Sequence, residues 1–309
     1  MSLHPATLPI AVLAVALAFA APHGAHAEDG LPAFRKEIVE AGGASVALYA
    51  EETGEGTPVL LLHGLAASTF TWRYLVPEFA RKHRVIALDL KGFGRSDKPE
   101  DQAYSATDQA ALVAAFIRKR GLESVTLVGH SFGGAVAVRV ALLLRSEPKR
   151  LAKLVLIDTP AIPGSLPRYY DFVRVPGALE LLLAPFSPEF LARQVLEGAR
   201  GSRRGITDAD IKGYAAPYYD AGAKHAFVAT ARAIVGDKDP TVVERLRTLD
   251  VPALVIWCRD DDIVPLSAGK RLADTMPRAK LRTLRGCNHL PQDQRPEALL
   301  ALMRPFLAD

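Results

Sequence analysis

Residues 127–137 read LVGHSFGGAVA: an apolar run halts at Gly129, shows one hydroxyl at Ser131, and passes Gly133 and Gly134 into a helical pattern. A serine hydroxyl attacks a carbonyl only when a base takes its proton. That base must come from elsewhere in the chain, and GCNHLP supplies His289 just past the last apolar run. An imidazole in turn needs an acid to fix its tautomer and stabilise its cation. WCRDDDIVP offers Asp260, Asp261 and Asp262 at the end of the preceding strand pattern. Attack on a carbonyl also creates an oxyanion, which needs N–H donors. In LLLHGLAAST a tight turn at Gly64 aims the Leu65 amide. The helix that opens after Ser131 supplies the Phe132 amide and the positive end of its dipole. Serine, then aspartate, then histidine is one of the chain orders in which this constellation recurs.

The elements that must hold these groups follow from hydrophobic periodicity. Strand patterns fall at 35–40, 45–51, 59–63, 84–90, 124–128, 154–157, 253–257 and 281–284. The first two read as an antiparallel hairpin through Gly42 and Gly43. VLLL, RVIALDL, SVTLVG and KLVLID are apolar on both faces, as buried parallel strands require. Helical patterns lie between them, the clearest being SATDQAALVAAFIRKRG, with Ser105 and Asp108 as a capping box and Gly121 as a left-handed stop. Strand and helix alternate until about Thr159 and again from Asp250; the stretch between holds five of the eight tyrosines and no strand pattern. These features predict an α/β protein with an inserted helical segment. The expected organisation is 1–27 signal peptide, 28–159 first part of the core, 160–236 helical insertion and 237–309 second part of the core.

Bulk properties narrow the function classes. The chain has 309 residues, 38 Lys and Arg against 34 Asp and Glu, a net charge of +4, and no run of five like charges. That excludes the clustered basic stripe of a nucleic-acid binder. The first 27 residues carry no Lys, Arg, Asp or Glu, and an apolar segment there is followed by Ala25-His26-Ala27. This predicts an exported protein, periplasmic or secreted, cleaved after Ala27, the alternative being a retained anchor. No later segment is long and apolar enough to span a bilayer. No metal-ligand spacing appears, and no cofactor is expected. GFGRS at 92–96 lacks the third glycine and the helix of a phosphate-binding fingerprint and reads as a tight loop. His63 and His130, beside the site, read as loop-holding residues.

In LLLHG, DLKGFGRSDKP, GHSFGG, WCRDDDIVP and GCNHLP, taken in order, the sequence resembles the α/β-hydrolase family in its branch with a helical cap. The resemblance runs from about Phe34 to Leu307. It implies an eight-stranded, mostly parallel sheet flanked by helices, with residues 160–236 as the cap. It assigns Ser131 as nucleophile, His289 as general base and Asp261 as acid, with Leu65 and Phe132 as oxyanion donors. Asp260 and Asp262 become solvated or capping residues, and Asp158 a rarer position for the acid. The family's sheet order makes the strands of Cys258 and Cys287 neighbours, so the two cysteines form either a disulfide or a pair of buried thiols. The implied activity is hydrolysis of a small-molecule carboxylic ester, with an insertion tyrosine or two lining the pocket; nothing in the sequence sets an oligomeric state. Haloalkane dehalogenases and most epoxide hydrolases carry Asp where Ser131 stands. Hydrolases that split carbon–carbon bonds of ring-cleavage products usually show Asn before the nucleophile and Trp after the histidine, where this chain has His130 and Leu290. Lactonases, perhydrolases and amidases share the apparatus. A non-catalytic binding protein is disfavoured because all three triad positions are kept.

Overall fold

The computed structural model describes residues 33–203, 205–237 and 239–308. The expected signal peptide lies outside the described residues. All eight expected strands form: β1 (Ala33–Ala41), β2 (Ala44–Thr53), β3 (Pro58–Leu62), β4 (Arg84–Leu88), β5 (Val125–His130), β6 (Leu151–Ile157), β7 (Ala253–Cys258) and β8 (Ala279–Leu284). They make one sheet in the order β1-β2-β4-β3-β5-β6-β7-β8. β1 pairs antiparallel with β2, and β2 antiparallel with β4. The remaining neighbours are parallel. β4 stops at Leu88, short of expectation, because the chain turns there to let the Leu90 amide bond the His63 ring.

The period of two in β3 explains why the run VLLL is apolar throughout. Leu60 and Leu62 face one layer with Val113, Phe116, Val136 and Val140, and Val59 and Leu61 face the other with Trp72, Leu75, Leu300 and Met303. Each such side chain contributes roughly 2 kcal/mol by leaving water. The first layer is built by α1 (Ala106–Lys119) and α2 (Phe132–Leu143). α1 starts with the expected reciprocal cap: Ser105 Oγ accepts the Asp108 amide at 3.1 Å, and Asp108 accepts the Ser105 amide at 2.9 Å. It ends beside Gly121 at φ 59°.

Between β6 and β7 the described residues form helices and turns with no strand. The principal helices are α3 (Pro188–Arg200), α4 (Asp208–Ala215) and α5 (Ala223–Gly236). After β7 come α6 (Leu266–Thr275) and, following β8, α7 (Pro296–Ala308). No helix among the described residues is long and apolar enough to cross a membrane.

The inserted helices are fastened to the core by a buried polar relay. Arg73, in the turn after β3, donates to Asp210 of α4 at 2.6 Å and to Asp293, beyond β8, at 2.9 Å. The Gln292 amide donates to Thr71 Oγ1. Tyr214 uses its hydroxyl proton on Asp293 at 2.8 Å, so the Thr71 hydroxyl must donate to Tyr214, also at 2.8 Å. Removing Arg73 leaves two largely buried carboxylates without their cation. Arg73→Ala is therefore expected to lower the unfolding free energy by about 3 kcal/mol or more in a urea titration, and Tyr214→Phe by about 1 kcal/mol. Unchanged midpoints would show that the inserted helices are held elsewhere.

Candidate active site

Ser131 occupies the single residue between β5 and α2, at φ 51° and ψ −119°. A non-glycine residue there stores about 1–3 kcal/mol of backbone strain, so its surroundings must hold it. Its N–H donates to the Ile157 carbonyl at 2.8 Å, and its carbonyl accepts the Gly134 amide at 2.9 Å. The glycines after it let α2 press onto the sheet. A Cβ at Gly133 would stand 2.3 Å from the carbonyl oxygens of Leu62 and His63, and one at Gly134 would stand 2.0 Å from Thr159 Oγ1. Neither clash can be relieved cheaply, since the first is with backbone. The bend therefore follows from packing distance, and it turns the Ser131 side chain out at the carboxyl edge of the sheet.

The structure brings the three expected groups together. His289 Nε2 is 2.8 Å from Ser131 Oγ, and His289 Nδ1 is 2.8 Å from Asp261 Oδ2. A carboxylate can only accept, so Nδ1 carries the ring proton and Nε2 is left to accept from the serine hydroxyl. Asp261 Oδ1 accepts the Ile263 and Val264 amides at 2.9 and 2.8 Å, which fixes the carboxylate plane. Asp261 and His289 are buried, while Ser131 is half-buried and reachable. Asp260 is exposed, and Asp262 accepts the Asn288 side-chain amide at 2.8 Å. Asp158 is fully buried but does not meet the imidazole, and its carboxyl bonds the Cys258 amide instead.

The neighbouring histidines hold loops, as expected. His63 Nδ1 donates to the Gly64 carbonyl at 2.8 Å while Nε2 accepts the Leu90 amide at 3.1 Å, and burial pushes the ring down to about 4. His130 Nε2 donates to the His289 carbonyl at 2.7 Å, and burial, helped by the nearby His289, pushes it down to about 3. Both rings are neutral at pH 7. The GFGRS stretch is a tight loop: the Thr69 and Arg95 amides donate to Asp89, whose buried carboxyl is raised to about 7 by desolvation. Phe132 opens α2, so its amide is among the helix's unpaired first N–H groups. Gly64, just before Leu65, lies against Ser131, with a Cβ there only 3.2 Å from the serine Cβ.

Cys258 and Cys287 are joined as a disulfide, which resolves the sequence alternative. The bridge ties the loop carrying Asp261 to the loop carrying His289. Two further supports of the site were not legible in the sequence. The His289 amide donates to the Ala199 carbonyl of α3 at 2.8 Å, and the Asp158 carboxyl lies against that of Asp261. Both had a signal, the helical pattern of α3 and the place of Asp158 as a rarer position for the acid, but neither says what the group meets in space.

A model for the α/β hydrolase fold matches residues 57–296. An uncharacterised hydrolase of Bacillus subtilis (strain 168) is 30% identical over 81% of this chain and 89% of its own. The 2-hydroxymuconate semialdehyde hydrolase of Pseudomonas sp. (strain CF600) is 28% identical over 92% of this chain and 97% of its own. Among solved structures, a thermophilic esterase from Thermogutta terrifontis superposes with a TM-score of 0.74 at 26% identity, covering 89% of this chain and 98% of that one. Sheet order, elbow and relatives together define a hydrolase. The chain belongs to the α/β hydrolase fold family.

A thiol titration of the denatured, unreduced protein is expected to find no reactive thiol. Replacing both cysteines with serine removes a cross-link across 29 positions and is expected to cost about 3–4 kcal/mol of stability. Two reactive thiols in the native sample would refute the bridge.

Proposed function

We propose that the protein is an exported serine hydrolase that cleaves carboxylic esters of small or medium, largely apolar substrates. The observation that carries this reading is the continuous relay from Asp261 through His289 to the Ser131 hydroxyl. His289 Nε2 takes the hydroxyl proton as Ser131 Oγ attacks the ester carbonyl. The Leu65 and Phe132 amides hold the oxyanion; losing one such donor costs on the order of a hundredfold in rate. The imidazole then gives its proton to the departing alcohol, leaving an acyl-serine. Water, deprotonated by the same imidazole, attacks the acyl carbonyl, and Ser131 regains its proton as the acid departs. Asp261 stabilises the transient imidazolium without itself becoming protonated.

A cavity opens at Ala66, the residue after Leu65, and its wall points to the substrate class. It is lined by Ala66, Leu191, Val195, Tyr214, Tyr218 and Phe227, with Lys224 and further alkyl groups, and its wall is almost wholly apolar. Most of these residues lie in the inserted helices, which act as the cap of the site in this reading. Such a wall suits a neutral acyl group held by area rather than by charge. Export is supported by the disulfide, since such bonds persist in oxidising compartments, and by the uncharged first 27 residues.

Carbon–carbon cleavage of a dienoate is the second reading, favoured by the relative named for 2-hydroxymuconate semialdehyde. Against it, the one cation among the described residues of the cavity wall, Lys224, turns its ammonium to the Leu183 and Ala184 carbonyls at 3.4 and 3.5 Å. His130 and Leu290 also depart from that group's usual pattern.

A fluorophosphonate probe is expected to label the wild type and leave Ser131→Ala unlabelled. On the best member of an ester panel of varied acyl length, Ser131→Ala should lose about a millionfold in kcat and Asp261→Asn about ten-thousandfold. A wild type that ignores the whole panel yet cleaves a dienoate ring-fission product would replace the ester reading with the second. Mass spectrometry of the exported protein should find Glu28 at the amino terminus.

A further inference from the structure

Asp158, the residue just after β6, is in an unusual state. Its φ is 46° and its side chain has no exposed surface. Oδ1 accepts the Cys258 amide at 2.9 Å. Oδ2 is buried and has no donor among the described residues; what it faces is the carboxyl of Asp261. Two buried carboxyls in hydrogen-bonding contact cannot both be anions, so one of them carries a proton that the other accepts, and that bond satisfies the orphan oxygen. Asp261 already accepts three N–H groups, from Ile263, Val264 and His289, whereas Asp158 accepts one. The anion therefore belongs to Asp261 and the proton to Asp158.

We propose that Asp158 is held as a neutral carboxylic acid that donates its Oδ2 proton to Asp261, making it a positioning residue for the acid of the triad. The proposal rests on the reading of Ser131, His289 and Asp261 as the reacting groups. Burial, followed by the negative charge of Asp261, pushes the Asp158 carboxyl well above its usual range. The ionisable groups around it are few. Cys258 of β7 is in a disulfide and does not titrate, Asp261 comes from the loop after β7, and His289 from the loop after β8 lies beyond Asp261. Asp261 is already held on both oxygens, Oδ1 by the Ile263 and Val264 amides and Oδ2 by His289, and Asp158 adds a fourth donor to the same carboxylate. Its pull on the imidazolium is moderated, because part of its charge is spent on the O–H of Asp158.

The test compares Asp158→Asn, whose amide can still donate to Asp261 and accept from Cys258, with Asp158→Ala, which does neither. The infrared difference spectrum of wild type minus Asp158→Asn at pH 7 is expected to show the carbonyl stretch of a protonated carboxylic acid. Its absence overturns the proposal, and this readout needs no substrate. Stability gives a second substrate-free readout. A group whose folded value is raised contributes stability below its unfolded value, near 3.9, and loses it as the pH rises through the folded value. Wild type should therefore lose stability relative to Asp158→Asn as the pH rises above about 4; a flat difference overturns the proposal. In the pH profile of kcat/KM, Asp158→Asn should leave the acid limb in place. Asp158→Ala should move it up by about one unit, because an unmoderated Asp261 holds the imidazolium more strongly. A limb that moves down in Asp158→Asn shows that Asp158 was an anion, and one unmoved in Asp158→Ala shows that it positions nothing; either overturns the proposal. Should Asp158→Ala fail to fold, Asp158→Ser, too short to reach Asp261, takes its place. A wild type inactive on every ester and dienoate would sink the proposed function while leaving the infrared and stability results to decide the protonation of Asp158.

Discussion

The closeness of α2 to β3 is the constraint on which the rest depends. Where Gly133 meets the carbonyls of Leu62 and His63, backbone packs on backbone with no room for a single methyl. That contact forces the chain through a left-handed residue at Ser131, and the strain is held by the Ile157 carbonyl on one side and the helix's first turn on the other. The hydroxyl stands out at the sheet's carboxyl edge, half-buried, because its backbone has nowhere else to go. Strain of this size is small against a core in which both layers of the sheet are closed by Leu, Val and Phe.

Electrostatics at the site are arranged by depletion as much as by attraction. His63 and His130 stand next to the relay, yet burial keeps both uncharged, so His289 is the ring that can become a cation without a neighbouring cation opposing it. The acid side follows the same logic. Asp261 collects N–H donors from its own loop, which makes it the anion, and the disulfide keeps that loop in register with the one bearing the imidazole.

Much of this architecture was legible in the sequence because parallel strands buried on both faces leave runs such as VLLL and KLVLID that no surface element would carry. The elbow was legible for a related reason, since only glycine tolerates such packing and glycines are visible as letters. What stayed hidden depends on pairing across long separations. Arg73 meets Asp210 and Asp293 from 137 and 220 positions away, and neither acid is marked by its neighbours in sequence. The cysteine pairing stayed open for another reason: neighbouring strands can carry either a disulfide or two buried thiols, and the bonded sulfurs decide it. The choice of Asp261 among three adjacent aspartates came from family resemblance; geometry supplies its reason, since the amides of residues 263 and 264 turn back onto that carboxylate alone.

The bond from the His289 amide to the Ala199 carbonyl makes the imidazole's perch a joint property of sheet and inserted helices. α3 supplies Leu191 and Val195 to the cavity wall and, at its far end, the Ala199 carbonyl that accepts the His289 amide. In the proposed reaction, a shift of α3 that enlarges the cavity also displaces the carbonyl that holds His289, so chamber size and proton transfer are coupled through one helix.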